Sequence, residues 1–211
     1  MRLSDPLDDL LKNKTHIRVL RALEGLPTGI EASTREIARR SGVSHPTASG
    51  ALESLRRQGL VQVRRTLWAD EYEFNEGHAL RKPLHTLFHI EQSLFQEVLD
   101  YLAREIRTRA DWVSDAFLFG SAARGDMQVD SDFDVALICP ARKVAQAEHL
   151  LEELSTRTAR RFGNRVHGVV GTGSVAELAR AGKPGYRLWK AIAKEGVRIR
   201  ASATTPPNGE T

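Results

Sequence analysis

The stretch from Phe117 to Ile138 limits the possible folds of this chain more than any other part of it. Ala116 to Phe119 is a short run of strand-forming apolar residues, and Gly120-Ser121 ends it abruptly. A second such run, Phe133 to Cys139, follows after a polar spacer. Because a glycine and a serine let backbone N–H groups approach an anion, as in other loops that open a helix towards phosphate, the pattern predicts two strands joined through a phosphate-binding loop.

Two acids accompany the second strand. Asp132 and Asp134 are two residues apart in a strand-like segment, so both carboxylates are predicted to project from one face. Mg²⁺ takes few protein carboxylates and completes its shell with water and phosphate oxygens. The pair therefore suits a magnesium-bound nucleoside triphosphate. A solubilising strand edge is the alternative, but it does not account for the glycine-rich loop at this spacing.

The motif has a family resemblance. Gly120-Ser121-Ala122-Ala123-Arg124-Gly125, followed by Ser131-Asp132-Phe133-Asp134, resembles the minimal nucleotidyltransferases of the DNA polymerase beta superfamily. The resemblance implies a mixed α/β domain with a small sheet over residues 111–201. It also implies catalysis with Mg²⁺ (or Mn²⁺) and an NTP, with ATP expected.

The resemblance also implies a role for each motif residue. Gly120 and Ser121 would hold the β and γ phosphates, and Asp132 and Asp134 would be the catalytic metal ligands. Arg124 would bind phosphate or pair with a neighbouring acid, Asp126 or Asp130; both alternatives stay open.

One feature of that family is missing. Its active members carry a third acid on the strand after the next helix, and here that strand, Arg165 to Val170, contains no Asp or Glu. His167 is nearest to the expected place, and imidazole is a poor ligand for a hard cation. This departure predicts nucleotide binding with transfer weakened or lost. The alternative is an active enzyme that moves NMP to a protein, RNA or small-molecule hydroxyl.

The first third of the chain predicts a DNA-binding fold. A short helix over 35–40, a turn at Ser41 to Ser44 and a longer helix with Pro46 in its first turn form a helix-turn-helix pattern. Two strand-forming runs, Leu60 to Arg65 and Glu71 to Phe74, then flank a turn and fit a wing. With its run from Gly42 to Val61, the segment 16–76 resembles MarR and ArsR-like transcription regulators.

A double-stranded DNA partner follows from this resemblance. The N-terminal half of the second helix would enter the major groove, and the wing would meet the phosphate backbone. The residues predicted to contact DNA are Ser44, His45, Thr47 and Ser49 on the helix and Arg64 and Arg65 on the wing. The alternative is a protein-docking winged helix, which the acids of the wing favour.

The remaining segments complete an α+β, two-domain organisation. Residues 1–78 are predicted as the winged helix, 79–110 as a long connecting helix, 111–201 as the nucleotidyltransferase-like domain and 202–211 as a disordered tail. Residues 5 to 24 are predicted to form either one helix or two helices, the second of them capped by Thr15. The apolar stripe of the connecting helix is a candidate face for a homodimer, or it packs within one chain. His85 and His89, one turn apart on it, are interpreted as surface or packing residues rather than metal ligands.

Composition adds general limits. A net charge of +4 permits nucleic-acid binding without requiring it, and the single cysteine excludes an internal disulfide. No apolar run is long enough to span a bilayer, so a cytoplasmic location without membrane contact is expected. A protein partner in a toxin–antitoxin pair is a further expectation that the family resemblance raises.

Overall fold

The computed structural model describes residues 11–27, 29–128 and 130–199. Leu7 and Leu10 of the predicted first helix, and the tail predicted as disordered, lie outside the described residues. The chain divides into two compact units between Ser93 and Leu94, and each unit is described by itself. The predicted α+β, two-domain class is confirmed.

Ahead of the long helix, the described residues of the first unit form three helices and a small antiparallel sheet. The helices are α1 (Lys14–Glu24), α2 (Thr34–Ser41) and α3 (His45–Arg57), and the strands are β1 (Ala32–Ser33), β2 (Val61–Arg65) and β3 (Asp70–Phe74). The strand order is β1-β3-β2. The hairpin of β2 and β3 is the predicted wing, and the short β1 was not foreseen.

Local signals set the helix boundaries of the helix-turn-helix. The Ser33 hydroxyl accepts from the Glu36 N–H at the start of α2, and Gly42 ends that helix with φ 64°. Ser44 caps α3, whose first turn holds Pro46. Because a left-handed residue is needed to turn the chain between the helices, Gly42 is where the motif depends on glycine.

The first described helix begins at an asparagine cap. The Asn13 side chain accepts from the His16 N–H at 3.0 Å and is the N-cap of α1, whereas Thr15 lies inside the helix. Of the possibilities left open, Thr15 is therefore not the cap of this helix, and the residues before Leu11 lie outside the described part of the chain. Asparagine is among the best N-cap residues, and the sequence signal at Asn13 was overlooked.

The long helix is continuous. Helix α4 (Arg81–Arg109) runs without interruption for 29 residues, within the connecting helix predicted over 79–110. Its first part buries Leu84 and Phe88 in the core of the first unit. The apolar side chains that its second part buries in the core of the second unit are Val98, Leu99, Leu102 and Ile106.

The second unit is a four-stranded sheet with helices on both faces. Its strands are β4 (Asp115–Phe119), β5 (Phe133–Ile138), β6 (Val166–Gly171) and β7 (Val197–Arg198), in the order β6-β5-β4-β7. Only the β5–β6 pair is parallel. The helices are α5 (Gly120–Arg124), α6 (Val144–Phe162), α7 (Val175–Leu178) and α8 (Tyr186–Glu195).

Alternation along the strands produces two cores. Leu118, Val135 and Leu137 face a core that α4 and α6 complete. On the other face, Ala136 and Ile138 meet Trp189 and Ile192 of α8 and lie with Phe119. The strands predicted at Ala116 to Phe119, Phe133 to Cys139 and Arg165 to Val170 are found as β4, β5 and β6. Within the described residues, no helix is long and apolar enough to cross a membrane.

The cap of α1 is open to a direct test. Replacing Asn13 with alanine removes the acceptor for the His16 N–H, so Asn13→Ala should lower the free energy of unfolding by about 1 kcal/mol. Thr15→Ala, two residues along the same helix, is the matched control and should change it by less. Urea unfolding followed by circular dichroism measures both; a larger loss for Thr15→Ala would contradict the assignment.

Candidate functional site

The loop predicted to bind phosphate leaves β4 directly as a short helix. Helix α5 begins at Gly120, and its N-cap, Phe119, offers no side-chain hydrogen bond to the first backbone N–H groups. Ser121 follows, half-buried, at the start of the helix. Gly125 ends it with φ 76°. Unsatisfied N–H groups at a helix start carry partial positive charge, so this turn is suited to an anion.

A close approach between Gly120 and Asp134 ties the loop to the second strand. Gly120 has φ 69°, and a Cβ added there would lie 1.9 Å from Asp134 Oδ2. Register explains the contact, because Asp134 is opposite Phe119 in the β4–β5 pair. Only glycine permits both this backbone conformation and the carboxylate beside it. The loop and the acid are therefore positioned by one another.

The two acids of the motif have different surroundings. Asp132 directly precedes β5 and is exposed, and it makes no hydrogen bond or ion pair with any described residue. Asp134 is the second residue of β5 and is half-buried. Their roles as metal ligands stay predictions.

His167 occupies the place beside Asp134. In the parallel pairing of β5 with β6 it is the partner of Asp134, and its Nδ1 is 3.3 Å from Asp134 Oδ1. The imidazole itself is exposed. Across residues 11–27, 29–128 and 130–199, no three His, Cys, Asp or Glu side chains are grouped to hold a metal ion. The site thus offers two carboxylates and a histidine where a third acid was sought.

This donor set fits one magnesium ion that arrives with a nucleotide. Two carboxylates, with phosphate oxygens and water as further ligands, are an ordinary magnesium shell. The close packing of Asp134 on Gly120 places one of those carboxylates at the phosphate loop. The set does not fit a metal site built from protein ligands alone.

Arg124 is engaged on the protein surface. Its Nε lies 3.2 Å from Asp126 Oδ2, and both side chains are exposed. Of the two alternatives for this residue, the structure thus shows the neighbouring acid. An exposed pair of this kind contributes little to stability and is easily exchanged for another anion.

The start of α3 presents the predicted DNA-contacting side chains. Ser44, His45 and Thr47 are exposed, and Ser49 is half-buried. The Ser44 hydroxyl lies 2.7 Å from the Thr47 hydroxyl and also caps the helix. His45 and Ser49 line a groove of about 500 Å³ between α3 and the wing.

The two wing arginines are not equivalent. Arg64 is held by Glu31 and Glu71, with Nη2 at 2.6 Å from Glu71 Oε2. The hydrogen bond that Arg64 donates to Glu31 holds the pKa of the Glu31 carboxyl below its usual value. Arg65 is exposed and has no ion pair with any described residue. Of the two, Arg65 is the one free to meet a phosphate.

Two residues of this groove were missed from the sequence. Arg35, at the start of α2, and Trp68, at the wing tip, both line the groove, and Trp68 is 93% exposed. The Thr66 hydroxyl accepts from the Trp68 and Ala69 N–H groups and donates to the Ala69 carbonyl, which orders the tip. An apolar residue inside a predicted turn was the available signal for Trp68.

Models of two known protein families match the chain, one in each of its two units. Residues 13–66 match the model of the MarR family, and residues 99–167 match the model of the nucleotidyltransferase domain. The chain therefore joins a MarR-family winged-helix domain to a nucleotidyltransferase domain. The resemblance seen in the motifs is confirmed for both. No curated protein matches the chain.

Two solved structures are similar to parts of the chain. One is the homodimeric winged helix-turn-helix DNA-binding domain (fragment 1-100) of Mb0332 from Mycobacterium bovis, a possible ArsR-family transcriptional regulator. It is 25% identical, with 45% of this chain and 80% of that chain covered and a TM-score of 0.33. The other, PigF with SAH, is 15% identical over 84% of this chain and 64% of that chain, with a TM-score of 0.28. At these TM-scores neither similarity carries an argument.

The contact of Gly120 with Asp134 predicts a specific cost of substitution. Gly120→Ala forces a Cβ against the Asp134 carboxylate and should destabilise the protein by about 1–3 kcal/mol beyond the strain of a left-handed alanine. Gly125→Ala is the matched control, because Gly125 also has a positive φ but nothing within 4 Å of its Cβ position. Urea unfolding of both variants measures the difference; equal losses would show that Asp134 yields freely.

Proposed function

We propose that this protein is a DNA-binding transcriptional regulator whose nucleotidyltransferase domain binds a magnesium-bound nucleoside triphosphate and has weakened or lost transfer activity. The winged helix supports the first part, and the phosphate loop with its paired acids supports the second. The observation that carries the proposal is His167, which stands beside Asp134 where active relatives are expected to have an acid.

The DNA-binding half of the proposal rests on charge and shape. Arg35 and Arg65 are exposed cations without an ion pair among the described residues, and His45 and Thr47 are exposed at the start of α3. Helix α3 would enter the major groove by its N-terminal residues, and the wing would lie along the backbone. Phosphate contacts by the free arginines would supply affinity, and the α3 side chains would read bases.

The nucleotide half rests on the loop. Backbone N–H groups at the start of α5, together with the Ser121 hydroxyl, would hold the β and γ phosphates. Asp132 and Asp134 would hold magnesium (or manganese), which neutralises phosphate charge when bound. Because Arg124 is exposed and its ion pair is weak, its guanidinium could turn from Asp126 to a phosphate. ATP is the expected nucleotide.

Weak transfer follows from the chemistry of imidazole. An attacking hydroxyl needs a base beside the metal-bound phosphate, and a third carboxylate both binds the metal and takes the proton. His167 contacts Asp134 through Nδ1 and can accept a proton, but its nitrogen binds a hard cation poorly. Losing a general base typically lowers a rate by about 10²- to 10⁴-fold.

An active nucleotidyltransferase is the second candidate. The fit between Gly120 and Asp134 favours it, because that close packing keeps the loop and one acid in place as an intact site requires. In this case the winged helix would dock a substrate or regulate the chain's own synthesis. The acceptor would be a hydroxyl of a protein, an RNA or a small molecule.

A homodimer belongs to the proposal as well. Leu87 and Ile90 are exposed large apolar residues at helical spacing on α4, and so are Leu94 and Phe95 further along it. Apolar stripes of this kind are commonly covered by another helix. Two winged helices in one assembly would match two DNA half-sites.

DNA binding has a residue-level prediction. Arg65→Ala and Arg35→Ala should each weaken binding to the protein's own promoter region by about 3- to 10-fold and reduce the salt slope by about 1, since each removes a phosphate contact. Arg64→Ala is the matched control and should weaken binding less, because Glu31 and Glu71 already hold that guanidinium. Gel shifts with competitor DNA over a salt series measure all three.

Two results would count against this arrangement. An absence of any shift at low salt on all candidate fragments would exclude DNA binding and favour a protein-docking winged helix. An Arg64→Ala loss equal to that of Arg65→Ala would show that Arg64 leaves its acids to meet DNA.

Nucleotide binding and transfer are separated by two measurements. Calorimetry with ATP and Mg²⁺ should show binding that the Asp132→Asn/Asp134→Asn variant loses. Labelled NTP with host lysate should show little transfer by the natural chain, and His167→Asp should raise it by about 10²- to 10⁴-fold by restoring a carboxylate. His149→Asp, a histidine exposed on α6, is the control and should have no effect.

The outcomes distinguish the two candidates. Strong transfer by the natural chain that Asp132→Asn/Asp134→Asn abolishes would establish the active enzyme. No heat and no thermal shift with ATP would leave a purely structural domain.

A further inference from the structure

Strand β6 forms one edge of the sheet in the second unit. It pairs with β5 on one side, and no described strand pairs with it on the other. Two bonds show which of its backbone groups face β5: the Phe133 N–H donates to the Arg165 carbonyl at 2.8 Å, and the Cys139 N–H donates to the Gly171 carbonyl at 3.0 Å. Because alternate residues of a parallel ladder face the same neighbour, residues 165, 167, 169 and 171 face β5.

The other residues of β6 direct their backbone groups outward. The Val166 N–H points away from β5 and donates to the Ser155 hydroxyl of α6 at 3.2 Å. By the same alternation, the backbone groups of Gly168 and Val170 also point away from β5. No described residue makes a hydrogen bond with these outward N–H and carbonyl groups. The centre of the edge therefore presents a short, regular row of donors and acceptors.

This edge lacks the usual protection against pairing. Proteins commonly block an exposed edge with a lysine, a proline, an inward-pointing charge or a bulge. The sequence of β6, Val-His-Gly-Val-Val-Gly, has no proline, lysine or acid. Its register with β5 is continuous from Val166 to Gly171, so no bulge twists it away.

An acidic groove runs beside the edge. It has a volume of about 660 Å³ and lies between β6 and one side of α6. Glu148 and Glu152, one turn apart on α6, line it together with Leu151 and Ser155. Glu148 has no ion pair among the described residues, and Glu152 has only the exposed His149, at 3.7 Å. The groove thus offers two carboxylates to whatever lies along the strand.

We propose that the β6 edge binds an extended segment of a partner protein as an added strand, with a lysine or arginine of that segment paired to Glu148 and Glu152. Main-chain hydrogen bonds to Gly168 and Val170 would supply affinity, and the acidic groove would select the side chain. This surface is a partner-binding site separate from the roles proposed for DNA and nucleotide.

Charge argues against a second copy of this chain as the occupant. Antiparallel pairing of two β6 strands about a two-fold axis keeps both α6 helices on the same side of the joined sheet. Glu148 and Glu152 of one copy would then face the same residues of the other. Like charges placed together disfavour that pairing, whereas a basic segment neutralises them.

The test uses the full chain and a defined probe. A fluorescein-labelled peptide of alternating lysine and valine, as long as β6, is titrated with the protein and followed by anisotropy. It should bind, and a peptide with glutamate in place of lysine should bind at least about 5-fold more weakly, as expected for lost ion pairs. The lysine peptide methylated on every backbone nitrogen should bind at least about 10-fold more weakly, because it cannot donate to the edge.

Protein variants locate the binding. Val170→Pro removes an outward N–H without removing a bond to β5, a position where an edge strand tolerates proline, and should weaken binding by about 10-fold. Glu148→Lys should weaken it by about 5-fold. Asp111→Lys, exposed elsewhere in the second unit and with the same change of formal charge, is the control and should not.

Several results would overturn the proposal. The lysine peptide could fail to bind, or the glutamate peptide or the methylated peptide could bind as tightly as the lysine peptide. Equal affinity of the lysine peptide for the natural chain and for both Val170→Pro and Glu148→Lys would also overturn it. Sedimentation that shows a dimer dissociated by Val170→Pro would identify a second copy as the occupant. Tighter peptide binding after deletion of residues 200–211 would identify the chain's own C-terminal segment. The Val170→Pro result counts only if the variant unfolds at the same midpoint as the natural chain. The methylated peptide tests the same backbone hydrogen bonds without changing the protein.

Discussion

The nucleotidyltransferase domain depends on the packing of the Asp134 carboxylate against the α-carbon of Gly120. A side chain at Gly120 would displace the acid, and a shift of β5 by one residue would turn the acid to the opposite face. The antiparallel register of β4 with β5 prevents that shift by pairing Phe119 with Asp134. The same strands bury Leu118 and Val135 in the core that α4 and α6 complete. Core packing thus holds an acid beside the loop that is predicted to bind phosphate.

In the winged helix, neighbouring acids decide which arginines are available to bind DNA. A cation contributes to DNA binding only if its charge is free when DNA arrives, and Glu31 and Glu71 occupy Arg64 in the folded chain. Arg65, the next residue, is exposed and has no ion pair with any described residue. The basic surface of the domain is therefore smaller than its arginine count implies, and Arg35 adds to it from helix α2.

His167 belongs both to the candidate nucleotide site and to the strand proposed to bind a partner protein. Its side chain touches Asp134, and its backbone belongs to the unprotected edge of the sheet. A strand added at β6 would lie next to Asp134, one of the two acids of the proposed nucleotide site. The proposed partner surface and the histidine beside Asp134 thus belong to one six-residue strand.

Sequence alone determined the winged helix, the long helix, the phosphate loop and the missing third acid, because each depends on local spacing. These signals extend over only a few residues and can be recognised in the sequence: hydrophobic periodicity, turn glycines such as Gly42, and the Gly-Ser loop. The cap at Asn13 is also a local signal, because an asparagine there precedes the first helical residue. Only the tertiary structure decided that His167 meets Asp134, that Arg64 is already paired and that β6 is an open edge. These facts depend on strand register and on contacts between residues 33 apart in the chain, as in the pairs of His167 with Asp134 and of Arg64 with Glu31. Such contacts arise from the packing of whole elements, which local sequence patterns do not specify.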